Sequence, residues 1–440
     1  MNNNYLELFS KTALNSIRRD KYISKSIDNI LSVLENIINY DVLFEEYDKK
    51  YKNLSFNFDD LKIKEDVKLS LCLIEKNEEK VIDRFLKQHL EYFHEIVIVD
   101  TGSKDQTIPI INDYKKKTKK IKLYTMEWED DFSKARNYAK QKATNNWVLF
   151  LDADELMDQK NIKMVYNFIN LFDDFDLKEY VACSMFVKNK NNVCQLTMQR
   201  LFYKSTKLNY YGRIHEYIAC SEKAYMKYSN ICLDILILHD GYELEIIRKK
   251  DKLQRNLKLL KIMMSEDDNP RWLYYFTRDG MNILPDNIII DLIEKYIKKE
   301  KNYMDKPYTL ELLNNMMLIN LKQHNLKKLE SIIDEINTQN NLNNYDVEFY
   351  TLYIEFLKLK QQMNHLLSKV VLYRKDHFEK QYSLIDCRGL HIDLLIAIFL
   401  FETGNYTNAK KYFEYIDKNF NIKNFLPFYQ SISKLLDNIE

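Results

Sequence analysis

At 440 residues the chain is long enough for two or three domains, and a formal net charge of +1 leaves no global basic field for nucleic acid or an anionic membrane surface. Hydrophobic residues make up 46% and charged residues 30%, ordinary values for a soluble globular protein, while only 6 Gly and 5 Pro favour long helices. The start, Met1-Asn2-Asn3-Asn4-Tyr5, lacks a charged-then-apolar signal profile, and the longest apolar run, Leu394 to Phe401, is far too short to be an integral membrane segment.

Six cysteines (Cys72, Cys183, Cys194, Cys220, Cys232, Cys387) contain no C-x-x-C pair. They read as reduced thiols of a cytoplasmic protein, with no zinc site. Residues 1–66 are polar and helical in pattern, with Ile23, Ile27, Ile30, Leu31, Leu34 and Ile38 on one face.

From residue 67 to about 242 strand and helix patterns alternate. Leu69 to Ile74 is a near-continuous apolar run, as expected of a strand buried on both faces. A helical pattern follows over Glu78 to Tyr92, then a strand over Ile96 to Val99 and a helix from Thr107. A third strand covers Ile121 to Met126, a third helix Phe132 to Ala143, and a fourth strand Trp147 to Leu151. This alternation predicts βαβ units and a mostly parallel sheet, whose ligands bind beyond the carboxyl ends of its strands. Shorter strand patterns at Tyr180 to Val187, Thr197 to Phe202, Tyr210 to Ile218 and Ile231 to Leu238 predict an antiparallel half.

Beyond residue 243 the pattern is helical to the end. A basic amphipathic helix is expected over Asp251 to Met264, and Pro270 is expected to break the chain before Trp272. Helix starts at Asn325 and Gly404, with weaker copies at Asn287 and Asn364, suggest a tetratricopeptide-like solenoid for docking or dimerisation.

Polar motifs sit at the ends of the predicted strands. Glu75-Lys76-Asn77-Glu78 follows the first, Asp100-Thr101-Gly102-Ser103-Lys104-Asp105 the second and Asp152-Ala153-Asp154 the fourth. Asp152 and Asp154 are two apart, so both project the same way and present hard oxygen ligands suited to Mg²⁺ or Mn²⁺ carrying a phosphate. Neither a Walker A loop nor a G-x-G-x-x-G is present. Each motif also has a plainer structural reading. Asp100 is a turn carboxylate that can cap Gly102-Ser103, Asn77 can cap the next helix, Arg136 can pair with Asp131, and His239 can be a packing histidine.

The ordered stretches Ile74 to Glu78, Val99 to Thr107, Trp128 to Asn137 and Asp152 to Asp154 resemble the family 2 glycosyltransferases of the GT-A fold. Adding Tyr211-Gly212-Arg213-Ile214-His215-Glu216, His239-Asp240-Gly241-Tyr242 and Asn269 to Phe276, the chain is similar to the sublancin-type (glycocin) peptide S-glycosyltransferases. That resemblance implies an α/β GT-A domain at 67–242, with an N-terminal helical segment at 1–66 and a TPR-like helical domain at 243–440. It implies inverting transfer of a hexose from UDP-glucose or UDP-N-acetylglucosamine to a cysteine, in some relatives a serine, of a small precursor peptide.

In that setting Glu75, Asn77, Asp100, Arg136, Asp152 and Ala153 are expected around the nucleotide sugar. Asp154 and His239 are expected on a Mg²⁺ or Mn²⁺ ion, and Glu216 and His215 at the acceptor, with Glu216 as general base. His215 and Glu216 are read as strand neighbours facing opposite sides. A homodimer through the helical domain is expected. Two other readings remain: a family 2 transferase building a cell-surface glycan or lipid-linked sugar, and a non-catalytic scaffold or immunity protein.

Overall fold

The computed structural model describes residues 66–440, together with Val33 and Asn36 to Ile38. Gaps fall at 174–177, 179–180, 190–191, 193, 197, 205–206, 221–228, 240–245, 282, 301–303, 305–306, 340–344, 378–382, 428 and 438–440. Most of the helical pattern expected before residue 67, and the Asp240 to Tyr242 motif, therefore lie outside the described residues. Ile37, next to Ile38 of the expected helical face, forms an antiparallel bridge with Leu233.

Two compact units divide the chain, residues 1–285 and 286–440. The first is built on a mixed sheet. Strands β1 (Leu69–Glu75), β2 (Glu95–Asp100), β3 (Ile121–Thr125) and β4 (Trp147–Phe150) run parallel in the order β3-β2-β1-β4. Helices α1 (Ile82–His89), α2 (Thr107–Lys117) and α3 (Phe132–Lys142) connect them.

The chain then adds β5 (Glu155–Leu156), α4 (Gln159–Phe172), β6 (Val181–Asn189), β7 (Cys194–Leu196) and β8 (Leu201–Tyr203). A hairpin of β9 (Leu208–Tyr211) and β10 (Tyr217–Cys220) precedes β11 (Ser229–His239). The sheet continues from β4 as β8-β6-β11-β5, antiparallel except for the β6–β11 pair. This is the mixed GT-A-like sheet that the motifs implied. The parallel β6–β11 pairing departs from the antiparallel half expected there.

The apolar runs of β1 to β4 follow from their position. Leu71, Leu73, Ile96, Ile98 and Leu149 face a layer that includes Ile82, Phe85, Leu86, Ile111 and Val165 from α1, α2 and α4. The alternate residues Cys72, Val97, Val99, Val148 and Phe150 face Ala139 of α3 and the β9–β10 hairpin. Both faces are covered, so both phases of the strand period are apolar.

The strand expected over Tyr210 to Ile218 is interrupted. Gly212 (φ +106) and His215 (φ 49) take left-handed conformations, and residues 212–216 form a loop between β9 and β10. Pro270 does not break a helix; it occupies the first turn of α6 (Pro270–Gly280), where its missing N–H costs nothing, and Asn269 caps that turn. Helix α5 (Ile246–Glu266) precedes it, covering the expected Asp251 to Met264 segment.

The second unit is helical: α7 (Asp286–Lys299), α8 (Thr309–Lys322), α9 (Leu326–Gln339), α10 (Tyr345–Asp376), α11 (Leu390–Glu402), α12 (Tyr406–Asp417) and α13 (Tyr429–Asp437). Successive helices pack side by side. Starts near Asn287, Asn325 and Gly404 are observed. The start expected at Asn364 is not, because α10 runs through that position without a break. Asparagine alone is a weak stop when the flanking residues are good helix formers. Among the described residues the cysteines are free, and no helix is long and apolar enough to cross a membrane.

Candidate nucleotide-sugar site

Strand register brings the polar motifs together. Glu75 ends β1 and Asp100 ends β2, and the two are direct partners in the parallel ladder. The Asp100 carboxylate accepts from the backbone N–H of Gly102 (2.9 Å) and Ser103 (3.1 Å), the turn-capping geometry its sequence allowed. Ser103 Oγ donates to Glu75 Oε2 at 3.2 Å and accepts from Asn77 N at 2.8 Å. Asn77 does not cap α1; its Oδ1 accepts from Lys104 N at 2.8 Å, tying the first loop to the second.

Glu75 is buried, and its Oε1 accepts no hydrogen bond from the described residues. Burial first, and then the adjacent Asp100 carboxylate, push its carboxyl up to about 9, so it carries a proton at neutral pH. An unsatisfied buried oxygen at a strand end is a place for a ligand donor.

The Asp152-Ala153-Asp154 turn is braced from behind. Glu155 Oε2 accepts from Asp152 N at 2.8 Å, and Arg200 donates to both Glu155 oxygens at 2.6 and 2.7 Å. Arg200 thus holds the turn from inside the sheet instead of reaching a ligand. Asp152 is in turn gripped by Arg136 of α3, whose Nη2 donates to Oδ1 at 3.0 Å, while the same guanidinium donates through Nε to Glu216 Oε1 at 2.6 Å. Rings of Phe150 and Tyr210 lie under it at 5.8 and 5.6 Å. Arg136 does not pair with Asp131, which instead caps α3. Burial raises the Asp152 carboxyl, but the Arg136 and Arg200 charges outweigh it and hold it at about 2.

Pairing of β11 with β5 sets His239 directly opposite Glu155. His239 Nε2 therefore comes within 3.1 Å of Asp154 Oδ2, and each side chain is about one-third exposed. The Asp154 hydrogen bond raises the imidazole pKa above its ordinary value. Among the described residues no three His, Cys, Asp or Glu side chains are placed to hold a metal ion together. One carboxylate and one imidazole still suit a divalent ion, because Mg²⁺ and Mn²⁺ complete their shells with water and substrate phosphate. Ala153, buried between the two aspartates, contributes its small size and no ligand atom.

The sequence reading missed Glu78 at this site. Burial, and then the Asp154 and Asp152 charges, raise its carboxyl to about 7, which places a titratable group in the field of the acidic turn. Its signal was available in the Glu75-Lys76-Asn77-Glu78 cluster. Nothing local marked Asp279.

The 212–216 loop points its three ionisable residues at different partners, Arg213 reaching Glu266 of α5 at 2.8 Å. Glu216 turns inward to Arg136, and His215 turns toward α6. His215 Nε2 lies 3.0 Å from Asp279 Oδ2, its ring stacks on Tyr275 at 4.0 Å, and its carbonyl accepts from Arg271 Nη2 at 2.8 Å. The loop enters at Gly212, where a Cβ would sit 2.5 Å from the buried ring of Trp272. Gly212→Ala is therefore expected to cost about 1–3 kcal/mol through strain and overpacking together. A lowered melting temperature with unchanged helix content checks it.

Residues 70–229 match the family model described as Glycosyl transferase family 2. The SPbeta prophage-derived glycosyltransferase SunS of Bacillus subtilis is 25% identical over 428 residues, 95% of either chain. A TPR repeat-containing protein of Synechococcus elongatus is 24% identical over 59% of this chain and 63% of its own. A crystal structure of S. aureus TarS 1-349 in complex with UDP-GlcNAc overlays loosely, with a TM-score of 0.32 and 17% identity over 57% of this chain and 80% of that one.

Proposed function

From a chain that carries a glycosyltransferase family 2 domain in a GT-A-like sheet, and is thus a sugar-transferring enzyme, we propose inverting transfer of a hexose from a UDP-sugar to a cysteine of a small bacteriocin precursor peptide, with serine as the alternative acceptor. The observation that carries the donor half is the convergence of Glu75, Asp100, Asp152 and the Asp154–His239 pair at the carboxyl ends of adjoining strands. The acceptor half rests on similarity to SunS that runs through the 212–216 loop, α6 and the helical unit as well as the family domain.

In this reading Glu75, Asn77 and Asp100 line the uridine. Asp154 and His239 would hold Mg²⁺ or Mn²⁺, which supplies countercharge to the leaving diphosphate. Arg136 fixes Asp152 beside the donor, and the Glu155–Arg200 pair fixes the turn. The acceptor sulfur attacks the anomeric carbon as the carbon–oxygen bond to UDP breaks and the electron pair leaves on the diphosphate. Glu216 takes the thiol proton, with His215 beside it on the acceptor loop. A thiol of reference pKa about 8.5 needs little help from a base, so losing Glu216 is expected to reduce transfer less than losing Asp154. Residues 67–242 hold the donor, and 243–440 dock the peptide and pair two chains in the cytoplasm.

Incubation with Mn²⁺ or Mg²⁺, several UDP-sugars and a cysteine-containing precursor peptide, followed by mass spectrometry, tests this. A hexose adduct localised to cysteine is expected, and a chelator added before the reaction should prevent its formation. UDP-sugar hydrolysis without any peptide adduct overturns the peptide acceptor and leaves glycan or lipid-linked sugar synthesis. Failure to bind or hydrolyse any donor points to the non-catalytic reading.

A further inference from the structure

The ends of β1 and β2 bury two carboxyl groups side by side. Glu75 and Asp100 are direct partners in the parallel ladder, so their side chains leave the same face of the sheet. They are only 4% and 2% exposed. The titratable groups that face Glu75 are Asp100 from β2 and Glu78 from the loop beyond β1, and both are acidic. Two carboxylates buried this closely hold one proton between them, because the doubly charged state is repulsive and poorly solvated.

The hydrogen-bond inventory says which group keeps that proton and where it points. Asp100 already accepts on both oxygens, Oδ2 from Gly102 N at 2.9 Å and Oδ1 from Ser103 N at 3.1 Å. Such donors favour the charged form of Asp100. On Glu75, Oε2 accepts the single proton of Ser103 Oγ at 3.2 Å, and that hydroxyl in turn accepts from Asn77 N at 2.8 Å. Oε1 is buried and accepts nothing from the described residues, so it is the oxygen free to carry the proton. Burial, then the hydrogen bond to Asp100 and its charge, keep Glu75 protonated up to about 9.

We propose that Glu75 is a positioning residue for the donor nucleotide: its protonated carboxyl donates from Oε1 to Asp100 and, with Gly102 N and Ser103 N, fixes the carboxylate that meets the uridine. This rests on the reading of the strand edge as the nucleotide-sugar site. With one proton on the pair, the pocket presents a single negative charge to anionic UDP, where two would repel it.

Glu75→Gln keeps a neutral side chain with an N–H for Asp100 and an oxygen for Ser103, whereas Glu75→Leu removes the donor. At neutral pH with Mn²⁺, calorimetry is expected to find UDP affinity within about threefold of wild type in Glu75→Gln and weakened roughly tenfold or more in Glu75→Leu. The infrared difference between wild type and Glu75→Gln should contain the carbonyl band of a protonated carboxylic acid. Above about pH 9 the wild type should lose UDP affinity relative to Glu75→Gln, a ratio that cancels any ionisation of the uracil itself. A raised carboxyl favours folding most at low pH and its contribution fades as pH rises toward that value, so Glu75→Gln should gain melting temperature on wild type over the same span. Loss of UDP binding in Glu75→Gln, with its melting temperature undiminished, overturns the proposal, and so does the absence of the acid band. If the band is present but neither protein binds UDP at any pH, the protonated pair stands and the nucleotide-site reading fails, taking the positioning role with it.

Discussion

Asp154→Asn is expected to lower transfer roughly 100- to 1,000-fold, the size of losing one preorganised charge contact at a developing anion. Its carboxylate is the anionic half of the pair with His239, and in the proposed reading it would hold the cation that offsets the charge of the leaving diphosphate. Stability should hardly change, because the side chain is about one-third exposed and bonds only at the surface of the site. Dependence on added Mn²⁺ should shift to higher concentration in the variant.

The pH dependence carries a sign. Asp154 raises the His239 pKa, so the protonated ring persists to higher pH than an ordinary histidine. Folding stability from that hydrogen bond is present at low pH and fades as pH rises through the raised value. Cation binding runs the other way, since a ligating imidazole must be neutral. At limiting Mn²⁺, activity should fall as pH drops below the His239 pKa, and excess Mn²⁺ should restore it. Unchanged metal dependence and pH profile in Asp154→Asn would remove Asp154 and His239 from the cation site.

Arg136→Met is expected to destabilise the first unit by about 3–5 kcal/mol, the cost of leaving a buried carboxylate uncompensated. Glu216 is only 6% exposed in its side chain and its partner is Arg136. Across a unit of this size the melting temperature should drop by roughly 10 °C. Arg136→Lys should rescue little, because Nε and Nη2 serve two different carboxylates and a single ammonium lacks that fork. Arg136→Met/Glu216→Met should recover part of the stability, since the orphaned charge is gone, without recovering transfer. Equal melting temperatures for wild type and Arg136→Met would contradict the ion-pair account.

Much of the first unit was legible because its signals are local. The apolar runs of β1, β2 and β4 follow from burial on both faces, and the spacing of Asp152 and Asp154 follows from the strand period. Carboxylates follow three separate strands that adjoin in the sheet, which places them along one edge. The loop at 212–216 was misread because Tyr210 to Ile218 has the apolar spacing of a strand. The positive φ at Gly212 and His215 and the nearby ring of Trp272 break it. Pro270 was read as a breaker, when one turn's difference in position makes it a helix start.

By itself the sequence determined the strands β1 to β4 and which of their ends are acidic. Tertiary structure alone decided that Arg136 bridges Asp152 and Glu216, 80 residues away from the latter, and that Arg200 braces Glu155. It also decided that β11 pairs with β5 to deliver His239 to Asp154. The physical reason is that periodicity records only which face of an element is covered. Which distant charge meets which depends on strand order and register, and no local pattern contains them.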